Sequence, residues 1–592
     1  MYLQLTTYKN MKKTVTLYLL FLFSAFQISA QSDYTNGIFI LNEDWFGHNN
    51  STINFLNTDT KEFDYLIIQN NESNKKKGLS LGCTSQFGTI YGDNMYIISK
   101  QNQDPGEKGT NWSGGRVVVA DAKTMEIKKS IPVIYEIDGK PAADGRSFVG
   151  VDEKKGYIGT SNGIFIFDLQ TFEIKKRIEG TENPLIVGGE NNADGVGALY
   201  KNQIGMMIRT HDYVFAIQQD KGVLVIDPEK DEMVEVIEGC FSSMTQSKDG
   251  SIWVGRNSNL EYQTYPYGVM GSMGEKWEGN ELLKIDPKTL ETKIISMTAG
   301  AGLNQTWYAW TAGSLCASAK HNRLYFTFNS NKWSWFTTSE MFMYDIDNDT
   351  FSKIYESEKE ERYFYGASIR INPLDDKLYA SLYLDNVNQT YFFYQLNNQG
   401  EKLTQYTPIK RYWFPSLFIF PDNHAPVVAD FPPVEIGCLS TAKIDLSSMA
   451  TDVDNINAAI TKKVISVENE NLLSATVKAD QLLLIPQSKE GKTNVVVRFN
   501  SNGKTVDKTL TVNIVKENVG VDNRPAEKPK VFVQNAAICI TGLIDQTDIV
   551  VFDMFGRPVY SQKAQGEISI KNLPKGQLYI VSVKNNTYKI IL

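Results

Sequence analysis

A short phrase of four mostly apolar residues, followed by Asp and a polar turn, recurs along the chain. Short apolar runs that end in turn residues predict β-strands rather than helices. The five clear copies end at Asp121, Asp168, Asp227, Asp286 and Asp345, and weaker copies begin at Ile53 and Tyr391. From Asp168 onward the clear copies are 59 residues apart (227 − 168, 286 − 227 and 345 − 286). The chain therefore contains a structural repeat with seven copies.

The neighbours of each phrase complete the repeat. Two apolar runs separated by a polar turn precede it, as in Ser242–Gln246 and Ile252–Gly255, and one further strand follows it, as in Glu173–Ile178. Four short strands per repeat are typical of propeller blades. We predict an all-β chain with a seven-bladed β-propeller over residues 34–422.

The incomplete first repeat predicts how the ring closes. Gly37–Leu41 is predicted to be its second strand, Ile53–Leu56 its third and Asp64–Ile68 its last, so that an innermost strand is missing. The apolar run Ser416–Phe420 at the far end can supply it. We predict that Ser416–Phe420 pairs with Gly37–Leu41 in one blade, because joining both ends removes two exposed strand edges.

The connections predict which face carries function. The turns between first and second strands and between third and fourth strands are tight, and we call the face that bears them the tight-turn face. The long insertions lie in the other connections, on what we call the loop face: 103–115, 179–203, 256–279, 298–313, 330–339 and 357–366. Long loops in compact domains are functional or disordered, and aromatic content argues against disorder.

The loop face is rich in aromatic residues, which form rigid binding surfaces. The alternative is that these side chains pack the loops onto the blades. The predicted ligand-binding residues are Trp112, Tyr262, Tyr265, Tyr267, Trp307, Tyr308, Trp310, Trp333, Trp335 and Tyr365.

Catalytic chemistry has little support in the sequence. Of four histidines, only His48 falls on the loop face; His211 and His321 fall in tight turns, and His424 lies beyond the propeller. The carboxylates Asp104, Glu107, Glu261 and Glu275 belong to the loop face, but their pairing cannot be read from spacing. No phosphate-loop, HExxH or GxSxG motif stands out. We predict a protein without catalytic activity, catalytic residues, metal or cofactor.

The cysteine spacing and the net charge bear on which kinds of site and partner the chain can have. The five cysteines, Cys83, Cys240, Cys316, Cys438 and Cys539, are scattered without a CxxC, so we expect buried free thiols rather than a zinc site or disulfide framework. The net charge of −8 provides no basic surface for nucleic acid.

The termini and the region after the propeller predict further segments. Residues 1–30 read as a signal peptide with Met11 as start, because Lys12 and Lys13 precede an apolar run that ends at Ile28-Ser29-Ala30. Residues 423–516 show short alternating strands typical of an Ig/cadherin-like β-sandwich. Within it, Thr451–Asn455 forms a solvated turn or, alternatively, a calcium site. Residues 517–530 are a polar linker, and residues 531–592 form a small C-terminal β-sandwich.

The last segment resembles a known family. Val550–Arg557, Leu573–Gly576, Tyr579–Val583 and terminal Lys589–Leu592 resemble the C-terminal sorting domain of the type IX secretion system. Gln577 departs from the usual pattern of Gly followed by a short apolar-Tyr step. The resemblance implies passage through the outer membrane by that machinery and attachment to the cell surface or secretion, with a periplasmic location if the route is absent.

The propeller resembles a second family. Gly37–Glu43, Ser51–Asn57 and Asp249–Gly255 resemble the YncE-like surface propellers of Gram-negative gut bacteria, over residues 36–422. Some of these bind cobalamin and pass it to a TonB-dependent outer-membrane transporter, which implies a corrinoid ligand here. This chain departs from them by lacking the lipoprotein cysteine at Gln31. The alternatives are a glycan- or protein-binding surface adhesin and, third, a propeller lyase or hydrolase.

Overall fold

The Asp or Asn at the end of each repeat phrase closes the turn to the blade's last strand. In all seven turns its side chain accepts hydrogen bonds from backbone N–H groups two to four residues later: Asn57, Asp121, Asp168, Asp227, Asp286, Asp345 and Asn397. Six turns then place a left-handed residue four positions on, with φ of 51° to 63°, and the seventh uses Gly400. The N–H groups of Thr171 and Gln170 lower the pKa of Asp168. Each turn is thus an Asx turn.

The computed structural model describes residues 33–189, 202–218, 221–239, 241–256, 278–279, 281–298, 301–304, 313–328, 337–357, 362–384, 390–410, 414–517, 529–584 and 586–592. The predicted signal peptide and most of the linker lie outside these residues. In the described part of the chain, no helix has the length and apolar character of a membrane span.

Seven sets of four antiparallel strands follow one another along the chain, and we number them as blades 1 to 7. From the innermost strand outward they are Pro415–Ile419, Ile38–Asn42, Thr52–Leu56 and Phe63–Asp64 in blade 1; Cys83–Tyr91, Asn94–Gln101, Val117–Asp121 and Ile127–Ile131 in blade 2; Gly145–Gly150, Lys155–Thr160, Gly163–Asp168 and Glu173–Arg177 in blade 3; Ile204–Arg209, Val214–Gln218, Gly222–Asp227 and Glu232–Glu238 in blade 4; Phe241–Gln246, Ile252–Arg256, Glu281–Ile285 and Thr292–Ser296 in blade 5; Cys316–Ala317, Arg323–Phe328, Glu340–Asp345 and Thr350–Glu356 in blade 6; and Arg362–Ile371, Leu378–Leu384, Thr390–Leu396 and Lys402–Gln405 in blade 7.

Short strands and helices occur in the connections between blade strands and, at Asn457–Ala459, in the region after the propeller. The two-residue strands are Glu136–Ile137, Lys140–Pro141, Glu278–Gly279, Leu303–Asn304, Thr337–Thr338 and Ile409–Lys410, and the helices are Ile67–Asn70, Glu72–Lys77 and the 3₁₀ turns Pro105–Glu107 and Asn457–Ala459.

The innermost strands contact one another in a closed cycle, from blade 1 through blade 7 and back to blade 1. The predicted closure is confirmed: Pro415–Ile419 pairs antiparallel with Ile38–Asn42, with Phe418 opposite Ile40. Ala367 of blade 7 also bridges to Leu417. The prediction of an all-β propeller is therefore confirmed, and both ends of the propeller segment meet in one blade. We call the space inside this ring the central channel.

One predicted strand is corrected. The last strand of blade 1 ends at Asp64, and Ile67–Asn70 is a short helix rather than the end of that strand. Leu66 breaks the extended chain, since its φ is 55° and its N–H donates to the side chain of Asn54. In helical conformation Ile67 and Ile68 are buried against the core of blades 1 and 2.

The core lies between neighbouring blades, where the strand faces meet. Clusters of buried side chains join blades 5 and 6 around Trp253 and Phe326, and join blade 7 to blade 1 around Tyr379 and Phe418. Large aromatic residues fill much of the space between neighbouring blades, which explains their abundance in the strands.

Residues 427–515 form two facing sheets around a second core. One sheet contains Val434–Gly437, Lys504–Val515, Gly491–Ser501 and Thr461–Val467; the other contains Ala442–Asp445, Gln481–Pro486 and Leu473–Lys478; and Val427–Val428 pairs with Ala450–Thr451. Leu482, Val497 and Leu510 are fully buried between the sheets. We call this region the sandwich; its Ig/cadherin-like assignment stays a prediction.

The chain divides into two compact units, Met1–Lys516 and Glu517–Leu592. The second contains Lys530–Gln534, Ala537–Phe552, Pro558–Ile570, Leu578–Val583 and Asn586–Ile591. The two ends of its longest strand pair with different neighbours, yet Ile538 and Val551 share one buried cluster. Two long bulged strands thus enclose a small core of their own.

Candidate functional site

The sandwich covers the tight-turn face of the propeller. The N–H of Gly92, in a tight turn of blade 2, donates to the carbonyl oxygen of Asn502 at 2.8 Å, and the Asn502 side chain donates to Ile90 O at 2.9 Å. The N–H of Ala479 donates to Asp212 at 3.1 Å in blade 4. Ion pairs between this face and the sandwich are Glu153–Arg498, Glu229–Lys463 and Lys288–Asp480. The contacts extend across the turns of blades 2 to 5.

This cover closes one end of the central channel. A cavity of about 370 Å³ lies between the innermost strands and the sandwich, lined by residues that include Phe148, Met206 and Arg209 of the propeller and Asp454 and Asn455 of the sandwich. Because the sandwich forms one wall of this cavity, it obstructs entry to the channel from the tight-turn face.

The innermost strands share a distortion near their loop-face ends. In six blades the pairing with the second strand is interrupted by a bulge, at Ser416 in blade 1, Gln86 in blade 2, Arg146 in blade 3, 205–206 in blade 4, 242–243 in blade 5 and 365–368 in blade 7. A bulge leaves a residue unpaired and redirects side chains, and bulges recur beside functional sites. We call this set the bulge ring.

Three residues from three blades meet on one side of the bulge ring. Both Gln86 Nε2 and the hydroxyl of Tyr365 donate to Glu43 Oε2, each at 2.7 Å. Glu43 follows the second strand of blade 1, so this carboxylate links blades 7, 1 and 2. The three side chains are consequently fixed relative to one another.

A second polar group lies next along the bulge ring, in blades 3 and 4. We call this group and the Glu43 group together the arc. Arg146 Nε donates to Gln203 Oε1 at 2.6 Å, and its other nitrogens approach Asp144 at 3.6 Å and the carbonyl oxygen of Gly145. Asp144 is also 3.5 Å from Arg116, which donates to Lys100 O. The Arg146 side chain is 1% exposed, so the network rigidifies this side of the channel.

Lys100 interacts with both groups. Burial lowers the pKa of Lys100, Glu43 opposes this effect, and Arg146 reinforces it. Cys83 and Asp144 also act on this ammonium group. Lys100 is therefore coupled electrostatically to both the Glu43 group and the Arg146 group.

A buried carboxylate joins two loops of this face. Asp104 is fully buried; it accepts hydrogen bonds from Gly47 N–H at 2.9 Å, Gly106 N–H at 2.7 Å and the Cys83 thiol at 3.2 Å. Its own N–H donates to Asn50 Oδ1 at 2.7 Å. Asp104 thereby ties the loop 43–51 to the loop 102–116.

The loop 43–51 presents aromatic side chains to solvent. Trp45 is 40% exposed and Phe46 is 57% exposed. The rings of Trp45 and His48 lie 4.2 Å apart, and the His48 N–H donates to Trp45 O. Trp45 and Phe46 form an exposed aromatic pair on a loop that Asp104 anchors, so they need little ordering when a partner binds.

Two of the predicted ligand-binding residues lie within the described chain. Trp112 is half-buried in the loop 102–116, and its carbonyl oxygen accepts a hydrogen bond from Gln103. Tyr365 is also half-buried, but it belongs to the bulged innermost strand of blade 7 rather than to a loop. The bulge interrupts the strand pattern in the sequence, which explains the misplacement. The other eight predicted residues lie outside the described residues: Tyr262, Tyr265, Tyr267, Trp307, Tyr308, Trp310, Trp333 and Trp335.

Sequence reasoning missed the arc residues Glu43, Gln86, Lys100, Arg146 and Gln203. The available signal was polar residues in runs that start innermost strands, such as Thr84-Ser85-Gln86 and Gly145-Arg146-Ser147. That they meet depends on closure of the ring and on the bulges, which no local pattern reveals.

Two buried cysteines have weakly acidic thiols. Burial raises the pKa of Cys83 to about 12 and that of Cys316 to about 11. Cys438 and Cys539 are also free but only half-buried, and Cys240 lies outside the described residues. High thiol pKa values make Cys83 and Cys316 poor nucleophiles.

Within the described residues, no group of three or more His, Cys, Asp or Glu side chains could hold a metal ion. In the suspected calcium turn, Asp454 Oδ2 already accepts from the N–H groups of Asn423 and His424. Nearby Asp422 forms an ion pair with Lys504 at 2.9 Å. These two carboxylates are therefore already engaged in hydrogen bonds and an ion pair.

Comparisons with known proteins give a family and remote structural likenesses. The family model described as a domain of unknown function, DUF5074, matches residues 36–421. No curated protein is detectably similar in sequence.

Three solved structures illustrate the likenesses. A quinonprotein alcohol dehydrogenase-like protein of Bacteroides thetaiotaomicron is 14% identical with a TM-score of 0.44, covering 66% of this chain and 79% of that one. The extracellular domain of a putative hybrid two component system of the same organism is 11% identical with a TM-score of 0.33, covering 81% and 55%. The β-propeller domain of Cps50 (Swd1) of Myceliophteria thermophila is 10% identical with a TM-score of 0.35, covering 59% and 95%. Likenesses this remote carry no argument about ligand or activity.

Proposed function

Because the chain belongs to the DUF5074 family of domains of unknown function, we propose a function from its own geometry: an exported, non-catalytic protein that binds a ligand on the loop face at the mouth of the central channel. The observation that carries this proposal is the cover of the tight-turn face. The sandwich occupies the turns of blades 2 to 5. A ligand therefore approaches from the loop face.

The loop face supplies both kinds of contact that a specific ligand needs. The arc from Tyr365 to Gln203 offers fixed polar groups at the channel mouth. The anchored loop 43–51 offers exposed aromatic side chains at Trp45 and Phe46. Pockets with a few oriented polar groups beside aromatic surface are typical of small-molecule sites.

The ligand is proposed in two forms. The resemblance to YncE-like surface propellers favours a corrinoid that is passed to a TonB-dependent outer-membrane transporter. The exposed aromatic pair Trp45–Phe46 equally suits a glycan, because sugar rings stack on aromatic faces, and the protein would then be a surface adhesin. Both ligands use the same face, so the site does not depend on this choice.

Surface display is part of the proposal. The signal peptide at residues 1–30 would direct export, and the C-terminal unit would serve as a type IX sorting domain. Truncation after Lys516 separates these roles, since it removes one compact unit and leaves the other whole. We expect the truncated protein to stay in the periplasm with its binding intact. Surface exposure of the truncated protein, measured by protease shaving of intact cells, would contradict the sorting role.

Binding is tested by calorimetry on the full chain with cyanocobalamin and a panel of oligosaccharides. Phe46→Ala removes an exposed aromatic group of the loop face, whereas Leu374→Ala removes a side chain of similar exposure, 52%, in a tight turn of blade 7. Truncating a central aromatic contact costs on the order of 2 kcal/mol or more, so we expect Phe46→Ala to weaken binding at least about tenfold. Leu374→Ala should leave the affinity unchanged.

Circular dichroism must show that both variants are folded. The reverse result, with binding lost in Leu374→Ala and kept in Phe46→Ala, would place the site on the tight-turn face and contradict the proposal.

A further inference from the structure

Two buried glutamines at the channel mouth each leave one amide atom without a partner. Gln86 is 4% exposed and Gln203 is fully buried. Among the described residues, Gln86 Oε1 and Gln203 Nε2 have no hydrogen-bond partner, and neither has the buried hydroxyl of Ser243 in the blade 5 bulge. Buried polar atoms are almost always paired, so unpaired ones mark places where a ligand or water completes the bonding.

The neighbours of these glutamines fix which amide atom is unpaired. An amide can usually be turned over, because its oxygen and nitrogen look alike. Here the Glu43 carboxylate can only accept, so the NH₂ group of Gln86 must face it. Arg146 can only donate, so the carbonyl of Gln203 must face Arg146. Gln86 therefore presents an acceptor and Gln203 presents a donor.

Both atoms belong to the same arc of the bulge ring. Gln86 is the bulged residue of blade 2, and Gln203 directly precedes the innermost strand of blade 4. The bulged residue between them is Arg146 of blade 3. The sandwich closes the opposite end of the channel, so a partner for these atoms enters from the loop face.

We infer that the bulge ring recognises a neutral ligand whose hydroxyl or carboxamide groups donate a hydrogen bond to Gln86 and accept one from Gln203. A carboxylate or phosphate only accepts, so it would leave Gln86 Oε1 unpaired. An ammonium group only donates, so it would leave Gln203 Nε2 unpaired. This inference rests on the proposed function, since a ligand must reach the loop face, and it adds the chemical class of that ligand.

Two substitutions change the unpaired atom and keep the existing bond. Gln86→Lys still donates to Glu43 but has no acceptor. Gln203→Glu still accepts from Arg146 but has no donor. The matched control is Gln395→Glu on the third strand of blade 7, where the amide bonds with Tyr379 and Thr404 far from the ring. If circular dichroism shows that Gln86→Lys does not fold, Gln86→Met removes the same acceptor with a side chain of similar length.

The probes are neutral gluco-, xylo- and mannohexaose, cyanocobalamin with its carboxamides, and succinate, an anion that only accepts hydrogen bonds, each titrated into the full chain by calorimetry. We expect a neutral probe to bind the wild-type protein, and each ring variant to bind it at least about tenfold more weakly, because a buried partner is left unpaired. Gln395→Glu should bind as the wild type does. Binding of a hexaose indicates hydroxyls, and binding of cyanocobalamin indicates a carboxamide.

Two results would overturn the ligand class while leaving loop-face binding intact. One is binding of succinate alone. The other is a neutral probe that Phe46→Ala weakens and that both ring variants bind as tightly as the wild type. In the second case, water would be the partner of the two amides. Failure of every probe to bind would count against this inference and the proposed function together.

Discussion

Replacing Phe418 by alanine should open the propeller at its closing blade. Phe418 lies on the strand Pro415–Ile419, is 5% exposed, and is paired with Ile40. Its ring meets that of Phe393 edge to face at 6.3 Å. The surrounding cluster draws side chains from both ends of the propeller segment, including Ile38 and Tyr379. Phe418 is thus a packing contact between the two ends.

The size of the effect follows from the buried ring. Truncating a buried Phe to Ala costs about 3–5 kcal/mol, because apolar contact is lost and a cavity remains. The closing strand has only five residues, so local opening should absorb this loss. Since about 1.4 kcal/mol corresponds to a factor of ten, amide exchange in the strand should accelerate roughly a hundredfold to several thousandfold.

Hydrogen exchange with mass spectrometry measures this directly. Peptides that contain 38–42 and 415–419 should lose protection, whereas peptides of blade 3 should change little. The control is Phe326→Ala, an equal truncation in the cluster between blades 5 and 6, which should loosen blade 6 instead. Unchanged protection of 38–42 in Phe418→Ala would refute the closure argument, as would an equal loss in every blade for both variants.

Three further predictions concern the loops, the turns and the aromatic face. Asp104→Ala should lower the free energy of local opening of 43–51 and 102–116 by about 2–3 kcal/mol, because hydrogen bonds to a buried carboxylate are lost. Hydrogen exchange measures this, and protection kept in either loop would contradict the prediction. The turn N–H groups lower the pKa of Asp168, so its contribution to stability is present above about pH 4 and is lost as pH falls through the lower folded pKa. Asp168→Asn should remove this part of the acid dependence, which urea unfolding at pH 7 and pH 3 measures. Trp310→Ala combined with Trp335→Ala should weaken ligand binding at least about tenfold, while His321→Ala, on the tight-turn face, should not; calorimetry with the reverse outcome would move the site.

The sequence alone was sufficient for the repeat and its turns. The apolar phrase and its Asx residue act within a few positions of each other, so their chemistry is local and visible in the chain. The complementary ends Gly37–Leu41 and Ser416–Phe420 also revealed the closure, because a missing strand and a spare strand can be counted. The short helix Ile67–Asn70 was mistaken for strand, since two isoleucines bury equally well in either conformation.

The tertiary structure decided the site. The bulges that redirect Gln86 and Arg146 leave no mark in local hydrophobic patterning, because each shifts the pairing of a strand by a single residue. The meeting of Tyr365 with Glu43 joins residues 322 positions apart and exists only once the ring has closed. The sandwich's place on the tight-turn face likewise depends on turns from four blades acting together. Aromatic composition indicated the loop face, but the polar groups that could bind a ligand are assembled only by long-range packing.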